Sequence, residues 1–174
     1  MLLHTVGHST RSLDELVALL RENGVAHLVD VRTVPRSRHN PQYNADTLPG
    51  NLQGQGIAYT PMPALGGLRK ARRDSINMGW RNASFRGYAD YMQTPEFDAA
   101  LAVLMQLVER ESLAVMCAEA VPWRCHRSLI ADALSVRGME VRHIMGPGKQ
   151  QPHKLTPFAH VEGLEITYPF ALEG

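Results

Sequence analysis

Short apolar runs alternate with amphipathic helical patterns along most of this chain. Runs typical of buried strands occupy residues 2–6, 25–31, 57–60, 113–116 and 140–144. Helical patterns begin near Leu13, at residues 85 and 95, and at residues 125–127. Because strands that alternate with helices usually form a parallel sheet covered on both faces, the sequence predicts an α/β fold. We expect a single domain over residues 1–174, with an open, mainly parallel sheet flanked by helices in a Rossmann-like three-layer arrangement.

Capping residues mark two of the helix starts. Ser12 and Glu15 have the spacing of a capping box before the first helix. Thr94 precedes Pro95, an N-cap followed by proline at the first helical position. Weaker patterns predict a short helix at residues 46–53, a second at 155–159 and a last strand at 164–168.

Composition is that of an ordinary globular protein. Of 174 residues, 44% are hydrophobic and 20% are charged, which is enough for one full core. The segment MLLHTVGHS lacks the basic and long apolar regions of a secretion signal, and no apolar run approaches membrane-spanning length. Two cysteines do not make a disulfide framework. We therefore expect a cytoplasmic protein that has no membrane contact.

Polar and reactive side chains follow the predicted strands, where a parallel sheet binds its ligands. In chain order they are His8, Ser9, Asp30, Arg32, Ser37, Gly66, Gly67, Cys117, Glu119, Arg124, Cys125, His126 and Arg127. Because the carboxyl ends of parallel strands meet at one edge of a sheet, we expect these residues to surround one site. The two thiols, His8, His126 and Glu119 are candidate catalytic groups, and the other residues are candidates for ligand binding.

Positive charge is concentrated in the loops at that edge. Residues 32–38, 69–86 and 117–127 contain eleven of the eighteen Lys and Arg residues but only two acidic residues, Asp74 and Glu119. Since the net charge of the whole chain is only +1, these loops predict one cationic face. A small anionic or phosphate-containing ligand is therefore the expected partner, and nucleic acid is an alternative.

The two cysteines flank the turn between a predicted strand and a helix. A helix N-terminus favours the thiolate form, and Arg124, His126 and Arg127 lie next to Cys125 in the sequence. Cys125 is therefore the first candidate for a nucleophile or redox thiol, with Cys117 as its resolving partner. The alternative is that both are small buried residues, the commoner fate of a free cysteine.

Several standard kinds of site do not fit the spacing. Cys117, Cys125 and His126 lack the Cys-x-x-Cys pair and the fourth ligand of a zinc site. Six residues separate Cys117 from Arg124, one more than a phosphatase-type loop allows. Neither a Walker loop nor a Gly-x-Gly-x-x-Gly motif is present. The sequence therefore indicates no metal site and specifies no cofactor.

The carboxylates and histidines each fit a chemical and a structural role. Glu119 and Asp30 can act as a general base or bind a ribose or base edge, or they can form ion pairs, for example Asp30 with Arg127. His8 and His126 can carry protons or contact an anion, or they can hold their turns through hydrogen bonds.

Residues 69–91 interleave cations with aromatic side chains. The cations are Arg69, Lys70, Arg72, Arg73, Arg81 and Arg86, and the aromatic residues are Trp80, Phe85, Tyr88 and Tyr91. One interpretation is a lid or groove for a nucleic-acid strand, with Trp80 as the residue that stacks on bases. The other is a solvated loop followed by a helix whose aromatic residues belong to the core.

The motifs at these positions resemble those of the domain of unknown function 488 (DUF488) family. They are Gly7-His8-Ser9, Asp30-Val31-Arg32 with Pro35 and Ser37, Leu65-Gly66-Gly67, Phe85 with Tyr88 and Tyr91, Cys117-Ala118-Glu119 with Cys125-His126-Arg127, Pro152-His153-Lys154-Leu155-Thr156, and Tyr168-Pro169. The resemblance covers nearly the whole chain and implies a compact α/β domain. It implies no activity, because the family has none assigned, so it assigns no catalytic residue.

Three functions are consistent with these observations. The first is an enzyme that acts on a phosphorylated or nucleotide-like substrate through a Cys/His/Arg site. The second is a non-catalytic module that binds a nucleotide or nucleic acid. The third is a thiol redox or rhodanese-like sulfur-transfer protein, which a strand-end cysteine and the motif Asp30-Val31-Arg32 suggest. The sequence specifies neither the reaction nor the oligomeric state.

Overall fold

A six-stranded sheet forms the centre of the protein, in a computed structural model that describes residues 1–170. Its strands are β1 (Leu2–Gly7), β2 (His27–Asp30), β3 (Ala58–Pro61), β4 (Leu113–Cys117), β5 (Glu140–Gly146) and β6 (Lys149–Pro152). They lie in the order β3-β2-β4-β1-β5-β6, and only β6 is antiparallel to its neighbour. The predicted mainly parallel sheet is therefore confirmed.

Helices cover both faces of this sheet. They are α1 (Leu13–Glu22), α2 (Leu48–Gln53), α3 (Ala83–Tyr91), α4 (Pro95–Arg110) and α5 (Arg127–Val136). In β4, Ala114 and Met116 pack with α1 and α2, whereas Val115 and Cys117 pack with the other three helices. Burial on both faces explains why the strands are apolar runs rather than alternating patterns. The predicted three-layer α/β arrangement in a single domain is confirmed.

The predicted caps hold the starts of α1 and α4. The Glu15 backbone N–H donates to Ser12 Oγ at 3.1 Å, and the Ser12 N–H donates to the Glu15 carboxylate at 3.0 Å. The Phe97 N–H donates to Thr94 Oγ1 at 3.3 Å. Each bond satisfies an N–H group that has no partner inside its helix.

The start of α5 differs from the prediction. Residues Pro122–Arg124 form a single 3₁₀ turn, and Cys125 then adopts an extended backbone with φ −137° and ψ 149°. The helix therefore begins at Arg127, two residues after Cys125. The Cys125 thiol lies beside the helix start rather than in its first turn.

The tail packs against the core in a way the sequence did not predict. The helix predicted at residues 155–159 is wrong: Asp132 accepts hydrogen bonds from the Thr156 N–H at 3.1 Å and the Thr156 hydroxyl at 2.7 Å. These bonds hold the segment to α5 in an irregular conformation. The predicted last strand is present as β8 (Glu165–Thr167), but it pairs with β7 (His160–Glu162) in a separate hairpin.

The long connection between β3 and α3 is ordered by buried polar groups. Asp90 on α3 accepts hydrogen bonds from the Arg72 N–H, the Ser75 hydroxyl and the Asn77 amide at 2.6–2.8 Å. The fully buried Asn77 side chain also accepts from the Tyr168 N–H at 2.9 Å. These bonds join the connection to both α3 and the tail.

None of the helices in residues 1–170 has the length and apolar character needed to cross a membrane.

Candidate functional site

A cavity of about 890 Å³ lies at the carboxyl ends of the parallel strands. It brings together ten of the predicted site residues, namely His8, Ser9, Arg32, Ser37, Gly67, Cys117, Glu119, Arg124, Cys125 and His126. We call it the thiol cavity, because both cysteines of the chain line it. Its position is the one where open parallel sheets bind ligands.

Three predicted site residues do not line the thiol cavity. Asp30 and Arg127 are buried behind its wall, and Gly66 is buried where an added Cβ would lie 2.3 Å from Thr33 Oγ1. The suggested ion pair of Asp30 with Arg127 is wrong, because Asp30 instead binds Arg32, the residue two positions along the chain. Asp30 therefore positions another residue of the site.

Arg32 is held rigidly at the cavity wall. Its Nε and Nη2 donate to the two Asp30 carboxylate oxygens at 2.9 and 2.7 Å, and Nη2 also donates to the Tyr43 carbonyl at 2.7 Å. The Tyr59 hydroxyl donates to the same carboxylate at 2.5 Å. The remaining nitrogen, Nη1, lies 3.5 Å from His8 Nε2. Arg32 can thus offer Nη1 to a ligand while Asp30 fixes its orientation.

The second ring nitrogen of His8 faces Arg32 at the cavity wall and accepts from its Nη1. The His8 Nδ1 donates to the Ser9 carbonyl at 2.8 Å, which assigns the proton to Nδ1 and leaves Nε2 as an acceptor. Burial and the Arg32 charge lower the pKa of His8, although the bond to Ser9 acts in the opposite direction. The ring stacks on Tyr43 with centroids 4.2 Å apart. A neutral, oriented imidazole of this kind can accept or relay a proton.

The loop after β1 is joined to the segment after β4. The His8 N–H donates to the Cys117 carbonyl and the Ser9 N–H to the Ala118 carbonyl, both at 2.9 Å. Gly7 is required here, because an added Cβ would lie 1.6 Å from the Glu119 carbonyl oxygen. Ser9 itself has a left-handed backbone with φ +49°, which is strained for a residue with a side chain. Leu68, across the cavity, has φ +60°.

The thiol of Cys117 interacts with the second thiol and with a buried cation. Burial raises the pKa of Cys117, but the hydrogen bond with the Cys125 side chain and the charge of Arg127 outweigh burial and bring the pKa below its ordinary value. Burial and the neighbouring Cys117 raise the pKa of Cys125 well above its ordinary value. The negative charge of the pair therefore belongs on Cys117 rather than on Cys125.

Arg127 is fully buried behind these thiols. Its Nη2 donates to the Ala120 carbonyl at 3.0 Å, whereas Nε and Nη1 have no hydrogen-bond partner within residues 1–170. An added Cβ on Gly7 would lie 2.8 Å from Nη1, so the guanidinium sits against the end of β1. In the described part of the chain no carboxylate forms an ion pair with Arg127. A buried cation without a carboxylate partner lowers the free energy of unfolding unless another anion lies nearby.

Cys125 and His126 form a thiol–imidazole pair. The His126 Nε2 donates to the Val31 carbonyl at 2.8 Å, so Nδ1 is free to accept from the Cys125 thiol at 3.4 Å. Burial lowers the pKa of His126 to about 4, against the opposing effect of the Val31 bond. Gly67 leaves room for the ring, since an added Cβ would lie 3.1 Å from Nδ1. His126 is therefore neutral at ordinary pH.

The rest of the thiol cavity is lined by a mixture of polar and apolar side chains. Glu119 and Arg124 are exposed at its edge, and Ser37 is fixed there by a 2.7 Å bond from its N–H to the Asn44 side chain. Lining residues that the site prediction omitted are Thr10, Thr33, Val34, Arg36, Asn40, Leu68, Asn82, Ser84, Phe85, Tyr88, Ala118 and Ala120. Among them, Asn82 is the N-cap of α3, where its side chain accepts from the Ser84 and Phe85 N–H groups. A helix cap is a feature that a sequence pattern can indicate.

The aromatic and basic residues of segment 69–91 mostly serve the fold. Trp80, the predicted stacking residue, packs on Phe85 and Phe158 with centroids 5.0 and 4.8 Å apart. Arg69 lies over the Tyr91 ring at 3.8 Å and donates to three backbone carbonyls. Arg86 donates to the Trp80 and Arg81 carbonyls. Trp80 is therefore not available to stack on a base.

Within residues 1–170, no cluster of three or more His, Cys, Asp or Glu side chains has an arrangement suited to a metal ion. The thiol cavity thus presents thiols, imidazoles and guanidinium groups as its own chemistry.

A family model described as "Domain of unknown function DUF488" matches residues 12–134 of the chain. The chain belongs to the DUF488 family. Searches of curated proteins and of solved structures found no match to it. The matched range includes all the residues that line the thiol cavity except three. These are His8, Ser9 and Thr10, which follow β1 and precede residue 12.

Proposed function

We propose that this DUF488 protein is a thiol-dependent enzyme that acts on a small molecule with a phosphate or another anionic group. One observation supports it most: Arg127 is buried beside the Cys117 thiol and has no carboxylate partner in residues 1–170. A buried guanidinium needs a counter-charge, and a Cys117 thiolate, whose formation the Arg127 charge favours, can supply one. The thiolate is also the nucleophilic form of cysteine.

In this mechanism the Cys117 thiolate attacks an electrophilic atom of the substrate, and the bond from that atom to its leaving group breaks. The leaving group departs with the bonding electrons and takes a proton from the solvent. Cys125 stays protonated and donates to His126 Nδ1, whereas His8 can accept a proton through Nε2. The roles of the two cysteines are thereby exchanged relative to the sequence-based expectation. The reason is that burial and the neighbouring Cys117 raise the pKa of Cys125, whereas the Cys125 hydrogen bond and the Arg127 charge lower the pKa of Cys117.

The cationic part of the wall is suited to the anionic group. Arg32 offers Nη1, and the exposed side chains of Arg36 and Arg124 flank the opening. Val34 and Leu68 are 59% and 79% exposed at the same cavity and provide apolar surface for the rest of the molecule. An anion attached to a flat or apolar group, as in a nucleotide, matches this combination.

Protection of Cys117 from alkylation tests the proposed function. The reduced protein is treated with iodoacetamide, with and without inorganic phosphate or AMP, and the labelled peptides are quantified by mass spectrometry. We expect phosphate or AMP to slow the labelling of Cys117. Arg36→Met or Arg124→Met should weaken that protection about tenfold, since each removes one charged contact.

Arg110→Met is the matched control, because Arg110 is an exposed arginine at the end of α4, away from the cavity lining. This variant should leave protection unchanged. If neither phosphate nor AMP slows labelling, or if Arg110→Met weakens protection as much as Arg124→Met, an anion site in the thiol cavity is excluded.

Sulfur transfer is a second candidate, because it needs the same strand-end thiolate. With thiosulfate, the Cys117 thiolate would attack the outer sulfur, the S–S bond would break and sulfite would leave, so that Cys117 gains the mass of one sulfur atom. A phosphate-directed enzyme would stay unmodified. Nucleic-acid binding has less support, since Arg69 and Arg86 contact the protein's own backbone. For either thiol chemistry we propose the reducing cytoplasm as the location, because a cysteine nucleophile must stay reduced.

A further inference from the structure

The two cysteines are placed to react with each other. Cys117 ends β4, and the 3₁₀ turn Pro122–Arg124 brings the chain back so that Cys125 lines the same cavity and belongs to the same buried cluster as Cys117. The turn is closed by bonds from the Arg124 N–H to the Val121 carbonyl at 3.2 Å and from the Cys125 N–H to the Pro122 carbonyl at 3.1 Å. Both cysteines are free thiols. A seven-residue loop, residues 118–124, thus separates two buried thiols that line one cavity.

We propose that Cys117 and Cys125 form a reversible dithiol–disulfide centre that small hydroperoxides oxidise. This redox centre rests on the proposed thiol chemistry of the cavity and adds a regulation to it, because the disulfide removes the Cys117 nucleophile. Two arrangements beyond thiol proximity support it: the buried Arg127 with two unpartnered donors behind the thiols, and a proton acceptor, His126 Nδ1, 3.4 Å from the Cys125 sulfur.

The oxidation balances with peroxide as the only co-reactant. The Cys117 thiolate attacks one peroxide oxygen, the O–O bond breaks, and the products are a Cys117 sulfenic acid and an alcohol or water once the leaving oxygen takes a proton. The Cys125 sulfur then attacks the Cys117 sulfur while its proton passes to His126 Nδ1. The S–O bond breaks, and the departing hydroxide takes that proton and leaves as water. Two thiols and one hydroperoxide thus give one disulfide, one alcohol or water, and one water.

Access to the sulfurs favours a small oxidant. Cys117 is 2% exposed and Cys125 is 6% exposed, yet both line an open cavity of about 890 Å³. Hydrogen peroxide can reach sulfurs that a bulky disulfide cannot approach closely. We therefore expect oxidation by peroxide to be much faster than oxidation by glutathione disulfide.

The test uses the intact, reduced protein and hydrogen peroxide in slight molar excess. We expect the loss of both thiols per chain, a peptide that links Cys117 to Cys125 in the mass spectrum, and full recovery of both thiols with dithiothreitol. Cys125→Ser should stop at a sulfenic acid on Cys117, which dimedone traps. Cys117→Ser should leave Cys125 reduced under the same conditions.

Three results would overturn the redox centre: thiols that stay reduced, oxidation to sulfinic acid without a linked peptide, or linkage only between two chains. The thiol count of the unaltered protein decides this even where a variant fails to fold. The outcome is also separable from the proposed function. If peroxide links Cys117 to Cys125 but neither phosphate nor AMP slows the alkylation of Cys117, the proposed anionic substrate is excluded and the redox centre stands. If phosphate or AMP slows alkylation but peroxide forms no link, the redox centre is excluded and the proposed function stands.

Discussion

The buried position of Arg127 changes how the chemistry of the site is interpreted. A basic residue in the first turn of a helix is usually exposed, and the sequence offered Arg127 as a ligand contact. In the fold it is fully buried, and its Nε and Nη1 find no partner within residues 1–170. Sequence spacing could place both thiols at the site, but it could not show that a buried cation acts on them. That depends on side-chain directions set by the whole core.

Buried histidines make stability sensitive to acid, and His143 is the clearest case. Burial lowers its pKa to about 3, with further effects from His153 and Arg127. Thr5 Oγ1 lies 2.5 Å from its Nδ1, and its Nε2 lies 2.8 Å from His153 Nδ1. Because the unfolded chain protonates near pH 6.5, acid favours unfolding. This contribution to stability is complete above pH 6.5 and declines as the pH falls toward 3.

We predict that His143→Gln makes the free energy of unfolding less dependent on pH. Between pH 7 and 5 the unaltered protein should lose about 2 kcal/mol through His143 alone, and the variant should lose that much less. Urea unfolding at several pH values measures the difference. His39→Gln, at an exposed loop position, is the control and should keep the original slope. Equal slopes for His143→Gln and the unaltered protein would contradict the assignment.

At the scale of elements, the sequence correctly predicted the helix starts that depend only on neighbouring residues. The capping residues Ser12 and Thr94 gave the correct starts for α1 and α4, because each cap is made within one turn. Contacts distant in sequence decided the rest. Strand β6 is polar and exposed and depends on pairing with β5, and the helix predicted at 155–159 lost to bonds with Asp132.

The connection between β3 and α3 depends on a single carboxylate. Asp90 is 7% exposed and holds three donors of residues 72–77. We predict that Asp90→Ala lowers the free energy of unfolding by about 3 kcal/mol, because it leaves buried donors without acceptors. Residues 70–81 should become the first site of tryptic cleavage, at Arg72 or Arg73.

Limited proteolysis and thermal unfolding of the Asp90→Ala variant measure both effects. Asp98→Ala is the matched control, since the Asp98 side chain is 63% exposed and, within residues 1–170, forms an ion pair with Arg137 alone, at 3.4 Å. It should change stability by less than about 1 kcal/mol. An Asp90→Ala protein that resists trypsin like the control would show that the connection is held by other contacts.

At the scale of the whole molecule, strand order makes the site. The central strands β2, β4 and β1 are neighbours, so the segments that carry Arg32, Cys117 and His8 leave the sheet side by side. The sequence could predict this convergence, because parallel strands end at the same edge. It could not predict the depth of each residue, which separates Asp30, Gly66 and Arg127 from the cavity lining.

The central claim is that the charge of Arg127 lowers the pKa of the Cys117 thiol, and the pH dependence of its alkylation tests this most directly. Iodoacetamide labelling of the Cys117 peptide is followed by mass spectrometry from pH 5 to about 10, the range in which thiols titrate, with N-acetylcysteine in parallel. We predict a Cys117 pKa below that of N-acetylcysteine, and a higher Cys117 pKa in Arg127→Met, where the cation is lost and only the hydrogen bonds still oppose burial. A Cys117 pKa at or above the reference in the unaltered protein, or one that Arg127→Met leaves unchanged, would contradict the claim.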